Sequence, residues 1–188
     1  MYNIPMEIKT KRLTLRRLGP EYLESTHEYV SDPENTRLMM LLPHESVEET
    51  AAYLRYCAEE WKKPEPAIYE FAVLLMGVHI GHVTLEMNGP RDTAELAWIF
   101  HPAHHGHGYA TEAARGMMDY ARRHLGITRF IAHCDSENAA SQGVMRRLGL
   151  HLADATGTRK NRGSDELRRE YCYESKAEEP PLKGDDPA

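Results

Sequence analysis

The 188-residue chain predicts an α+β fold: a mixed, mostly antiparallel central sheet of about six or seven strands with helices on both faces. Three observations point there. Apolar residues alternate with a period of two through successive segments of the first half. A long stripe of helical period begins only after three strands have followed one another. Beyond it strand and helix alternate once more, and a hairpin closes the chain. A doubly wound parallel sheet would alternate strand and helix throughout.

Each element follows from local pattern. Arg12-Leu-Thr-Leu-Arg-Arg17 alternates polar and apolar and opens the sheet. Gly19-Pro20 breaks it, Pro20 suits a first helical turn, and Tyr22, Leu23, Thr26 and Tyr29 recur at helical spacing. Ser46 with Glu49 forms a capping box for a second helix carrying Ala52, Leu54, Tyr56 and Trp61. Ile68 to Leu75 and Val78 to Glu86 are strands joined by the tight turn Met76-Gly77, and Thr93 to Phe100 follows the Asn88-Gly89-Pro90 break. The period then changes: Ala110, Ala113, Ala114, Met117, Met118 and Ala121 form one helical stripe ending near Gly126. Arg129 to Cys134 is a strand, Asn138 to Leu148 a helix with Gly149 as its stop. A hairpin folding near Asn161-Arg-Gly163 returns through Arg168 to Tyr173, with Arg159-Lys-Asn-Arg162 expected as a solvated tip. Residues 1–175 read as a single domain, and the Pro-rich, acidic 176–188 as a disordered tail.

Composition narrows the function. The formal charge is -6 and no run of Lys or Arg offers a footprint for a phosphate backbone, which excludes nucleic acid as the expected partner. Cys57, Cys134 and Cys172 lie far apart without metal or redox spacing, as expected of a reducing cytoplasm. No segment has the length and apolarity of a signal peptide or membrane span.

The chemistry concentrates between Phe100 and the long helix, in His101-Pro-Ala-His-His-Gly-His-Gly-Tyr-Ala-Thr111. Gly106 and Gly108 let the chain turn sharply and approach a ligand closely. The helix that follows starts with unpaired amides at the positive end of its dipole, so a pyrophosphate is the natural occupant. A dinucleotide fingerprint would need Gly or Ala where Thr111 stands, and a strand–helix–strand context that is missing. A P-loop would need Gly-Lys-Ser/Thr. The remaining alternative is a pair of glycines that only shape a turn. His101, His104, His105 and His107 also raise a metal site, but they lack the helical i, i+4 pairing of such sites, and no metal is expected.

Read together, these motifs resemble the GNAT superfamily of acetyl-CoA-dependent N-acetyltransferases. Ala94-Glu95-Leu96 precedes Gly106-His-Gly108, and Glu137-Asn138-Ala-Ala-Ser141 precedes Arg147-Leu-Gly149, in the order that superfamily uses. Thr10-Lys-Arg-Leu-Thr-Leu-Arg-Arg-Leu and the run from Gly108 to Ala113 are similar to the branch holding ribosomal-protein N-terminal acetyltransferases and several small-molecule acetyltransferases. The resemblance spans about residues 8 to 175. It departs at Ala103, where Gln or Arg is usual, at His107, where Lys or Arg is common, and at Met145, where many members carry a tyrosine acid.

The resemblance implies acetyl-CoA as co-substrate and a primary amine as acceptor, either a protein N-terminus or a small molecule. It implies that the backbone at Trp98, Ile99 and Phe100, where two strands splay, takes the acetyl-pantetheine arm. The amides of His105, Gly106, His107, Gly108, Tyr109, Ala110 and Thr111 would hold the pyrophosphate. Glu95 would act as general base, directly or through water, and Ser141 would hydrogen-bond the departing sulfur in place of the missing tyrosine. Asn138 would cap its helix, alone or while also touching the pantetheine. A homodimer joined through edge strands is a further expectation of the resemblance. The competing expectation is a non-catalytic acyl-CoA-binding or sensor domain.

Overall fold

The structure is a computed structural model that describes residues 7–87 and 92–176. The Asn88-Gly89-Pro90 break and the expected tail beyond Lys176 lie outside the described residues. Among those described, the alternating segments pair into one eight-stranded sheet. Its strands are β1 (Glu7–Lys9), β2 (Leu13–Arg17), β3 (Ile68–Leu75), β4 (Val78–Glu86), β5 (Thr93–Phe100), β6 (Arg129–Asp135), β7 (His151–Arg159) and β8 (Arg168–Glu174), in spatial order β1-β2-β3-β4-β5-β6-β8-β7. The pairing is antiparallel except between β5 and β6. Sequence reading expected at most seven strands because β1, three residues long, is too short to show a period.

Two helical layers cover the sheet. On one face, α4 (Tyr109–Leu125) buries Ala113, Ala114, Met117, Met118 and Ala121, which pack with Leu15, Phe71, Val83, Leu96 and Phe130. Each fully buried Met or Leu there stabilises the fold by roughly 1.5–3 kcal/mol. Gly126, at φ 71°, adopts the left-handed conformation that ends this helix. α5 (Ala139–Arg147) adds Val144 and Met145 to the same core. On the opposite face lie α1 (Leu23–Val30), α2 (Pro33–Thr36) and α3 (Val47–Glu60), which bury Tyr29, Val30, Leu54 and Cys57 against Ala72, Leu74 and Ile99. The alternation of β3 explains both layers, since Phe71 and Val73 face α4 while Ala72 and Leu74 face α3. Among the described residues no helix is long and apolar enough to cross a membrane.

Local signals mostly formed as written, with informative exceptions. Met76 and Gly77 both take positive φ, 51° and 86°, the conformation that a two-residue hairpin turn demands. Ser46 caps α3 by accepting from the Glu49 amide at 3.2 Å, but the Glu49 carboxylate turns to Glu45 N and Arg162 instead of closing the box. The buried stripe of α3 runs through Thr50, Leu54 and Cys57, and Tyr56 is 46% exposed, because the sheet meets the helix on the other side. Asp32 caps α2, a helix that its Pro33 starts.

The largest correction concerns the β7–β8 turn. Arg159 and Asn161 are buried, not solvated. Arg159 Nη2 and Asn161 Nδ2 donate to the carbonyls of Leu38 and Arg37, the Arg162 amide donates to Met39 O, and Arg162 Nη1 donates to Leu41 O. Arg162 also pairs with Glu49 at 2.5 Å. These two guanidinium groups, one side-chain amide and one main-chain amide satisfy main-chain oxygens of the segment between α2 and α3, and the tip is tied to that segment.

Candidate active site

The site begins where the one parallel pairing fails. β5 and β6 are in register at Thr93/Arg129, Ala94/Phe130 and Glu95/Ile131, and then diverge. From Leu96 to Phe100, β5 pairs with β4 alone, leaving an opening on its other side. Alternation directs Leu96, Trp98 and Phe100 to the α4 core and Glu95, Ala97 and Ile99 to the face under α1. The Phe100 carbonyl is already engaged, accepting from Asn35 Nδ2 at 3.2 Å and His105 Nε2 at 2.9 Å. That oxygen is therefore not available to the pantetheine arm that the sequence assigned to this backbone.

β5 leads directly into the glycine loop. Gly106 and Gly108 both sit at φ 79°, which any side chain would strain. Gly108 is the N-cap of α4 without a capping side chain, and the first helical bond is donated by Glu112 N to Gly108 O. The His105 amide, expected to join the cradle, is instead spent on Pro102 O at 3.1 Å, and among the described residues no hydrogen bond uses the amides from Gly106 to Thr111. Six consecutive donors are thus unspent at the positive end of a long helix, which is a ready site for an anion.

The loop histidines shape this cradle. His101 Nδ1 accepts from the Ala103 amide, His105 donates to Phe100 O, and His107 Nδ1 donates to His105 O at 2.7 Å. Among the described residues, no group of three His, Cys, Asp or Glu side chains is arranged to hold a metal ion. Arg12 braces the cradle from outside. Its guanidinium pairs with Glu112, donates to His107 O at 3.1 Å and lies 4.6 Å from the Tyr109 ring centre. Thr10 Oγ1 adds a 2.7 Å bond to Glu112. This side-chain network holds Glu112 below the usual carboxylate range despite partial burial.

Past Thr111 the surface turns basic. A groove of about 530 Å³ runs between the β1–β2 turn and α4, lined by Lys9, Lys11, Arg115, Arg123 and Arg147 among others. Arg147 Nε donates to Thr111 Oγ1 at 3.2 Å, so α5 reaches the end of the cradle. Asn138 caps α5 by accepting from the Ser141 amide at 2.9 Å. Ser141 is half-buried, and among the described residues its hydroxyl makes no hydrogen bond. Met145 is 1% exposed inside the core, so no acid can act from that position.

The face under α1 carries groups that sequence reading did not nominate. His133 Nδ1 lies 2.8 Å from Glu95 Oε1, across the mouth of the opening. Deeper in, Ser25 bonds His79, Tyr29 bonds His82 at 2.8 Å, and Thr84 donates to Glu70. Burial pushes His82 down to about 3, His79 down to about 4 and Glu70 up to about 7. The available signal for His133 was alternation, which sets it opposite Phe130, Ala132 and Cys134. Its partnership with Glu95 joins strands separated by all of α4, and no local pattern reveals it.

The mixed sheet, with its strands parting beside a glycine loop, is the architecture of an acetyltransferase, and comparison with known proteins agrees. Residues 12–151 match the acetyltransferase (GNAT) domain family, and the chain belongs to that family of enzymes. The uncharacterized N-acetyltransferase YnaD of Bacillus subtilis is 29% identical over 147 residues, covering 77% of this chain and 82% of that one. A GNAT-family acetyltransferase structure from Bacillus anthracis is similar with a TM-score of 0.77 at 28% identity, covering 90% of this chain and 97% of its own. RimL, a ribosomal L7/L12 alpha-N-protein acetyltransferase solved with coenzyme A, has a TM-score of 0.77 over 88% of this chain and 96% of its own. At 18% identity that likeness is one of fold.

Proposed function

We propose that this chain transfers an acetyl group from acetyl-CoA to a primary amine by direct attack within a ternary complex. The carrying observation is the run of uncapped amides from Gly106 to Thr111 beside the β5–β6 opening. A pyrophosphate fits that cradle without a lysine, because main-chain donors and the helix dipole supply the attraction. His105 and His107 shape it, and Tyr109, Ala110 and Thr111 contribute the first-turn amides. The basic groove beyond Thr111 suits the remaining nucleotide phosphate. The acetyl-pantetheine arm would enter the opening along Trp98 and Ile99, short of the occupied carbonyl of Phe100.

Roles follow from position. Glu95 would serve as general base, directly or through water, for an ammonium acceptor that must lose a proton before it can attack. Ser141 would offer its hydroxyl to the departing sulfur, and Asn138, besides capping α5, would touch the pantetheine arm. A protein N-terminus, a polyamine and an aminoglycoside are the acceptor classes to separate. A reducing cytoplasm suits the three unpaired cysteines.

The test is release of free thiol from acetyl-CoA with spermidine, an unblocked peptide and an aminoglycoside, alongside thermal shift with CoA. Binding with turnover on one of these amines supports the reading. The core position of Met145 favours a second reading, a non-catalytic acyl-CoA-binding domain, and tight CoA binding with no turnover on any amine would establish that instead.

A further inference from the structure

Two side chains meet where the sheet comes apart. Parallel pairing ends at Glu95 and Ile131. His133 stands one step further along β6 on the same sheet face as Ile131. Its 2.8 Å contact with Glu95 spans the divergence. A neutral imidazole held this way donates from Nδ1 to the carboxylate and keeps its lone pair on Nε2. Among the described residues no protein group bonds that Nε2, and the His133 side chain is 31% exposed. The free nitrogen is therefore both an acceptor and accessible.

We propose that His133 Nε2 takes the proton of the attacking ammonium, with the Glu95 carboxylate fixing the ring's tautomer. The inference rests on the acetyl-transfer reading and deepens it, since the base acts through an imidazole instead of a bare carboxylate. One proton passes from the ammonium nitrogen to Nε2 and then to solvent. The freed lone pair attacks the thioester carbonyl carbon, and the C–S bond breaks with its electron pair on sulfur. The second nitrogen proton ends on that sulfur, giving an amide, a thiol and one released proton.

The other groups facing His133 are Cys172, opposite it on β8, Glu170 next along β8, and Arg159 of β7, while Glu86 faces Glu95 from β4. The hydrogen bond to Glu95 outweighs burial and Arg159, and it raises His133 above the ordinary histidine value. Only the neutral ring accepts a proton, so activity should climb as pH rises through that raised value. Removing the carboxylate should move this limb to lower pH and also lower the plateau, because the tautomer is no longer held.

The experiment measures kcat/KM against pH for acetyl-CoA with spermidine, the unblocked peptide and the aminoglycoside as probes. It uses the wild type, His133→Gln and Glu95→Gln, with CoA binding followed by calorimetry for each. His133→Gln should lose roughly 100-fold together with the acid limb, and Glu95→Gln roughly 10-fold with the limb shifted down. Nitrogen NMR of the CoA-bound wild type should find the neutral ring protonated on Nδ1. A His133→Gln enzyme that binds CoA and keeps both rate and limb would overturn the assignment, leaving the acetyl-transfer reading intact. A proton found on Nε2 of the neutral ring would also overturn it. A wild type that binds CoA but acetylates none of the amines would overturn both.

Discussion

Arg12 Nε lies 2.6 Å from Glu112 Oε2, although the two residues stand 100 positions apart. The pair joins the turn before β2 to the first turn of α4. A carboxylate so near the uncapped amides would repel an anion held there; the guanidinium offsets that charge while a second arm grips His107 O. Two motifs that the sequence displays separately, around Thr10 and around Gly108, are thus halves of one brace.

Replacing Arg12 with alanine should therefore act on cofactor binding first. KM for acetyl-CoA should rise about tenfold, equivalent to roughly 1.4 kcal/mol, with kcat little changed. Arg12→Lys should restore part of this, because it returns the charge but not the fork. A fall in kcat at unchanged KM would show that the brace does something else.

Ser141→Ala separates two roles of one residue. The cap of α5 uses the main-chain amide of Ser141, so it survives the substitution. Thermal stability should stay within about 0.5 kcal/mol of wild type. If the hydroxyl serves the departing sulfur, kcat should fall about tenfold with KM for acetyl-CoA held. An unchanged kcat would remove Ser141 from the reaction.

Glu70 sets a pH dependence on stability. Burial raises its carboxyl from 4.5 to about 7. Between those values the folded state holds a proton that the unfolded state has released, so stability falls as pH rises through this window and levels off above it. The loss should reach about 3 kcal/mol on the shift alone. Urea unfolding from about pH 5 to pH 8 should show that decline in the wild type and a flatter course in Glu70→Gln. Parallel curves would show that Glu70 is ionised inside the fold.

How much of this was written locally can be judged residue by residue. The Met76-Gly77 turn, the α4 stripe and the glycine loop are short-range instructions, and they formed as read. β1 is too short to show a period, and it exists because β2 gives it a partner. The buried fates of Arg159 and Asn161 depend on carbonyls more than 120 positions away, which no window along the chain samples. His133 shows the same limit at the site. Its face was legible and its partner was not, because the β5–β6 register is set only once α4 has crossed over.

The grip of the β7–β8 turn on the carbonyls of Arg37, Leu38, Met39 and Leu41 reaches beyond stability. It ties together two stretches that mutate independently. A change around Met39 must then be matched by one around Asn161, and a loop grafted from a relative without its counterpart arrives with nothing to hold.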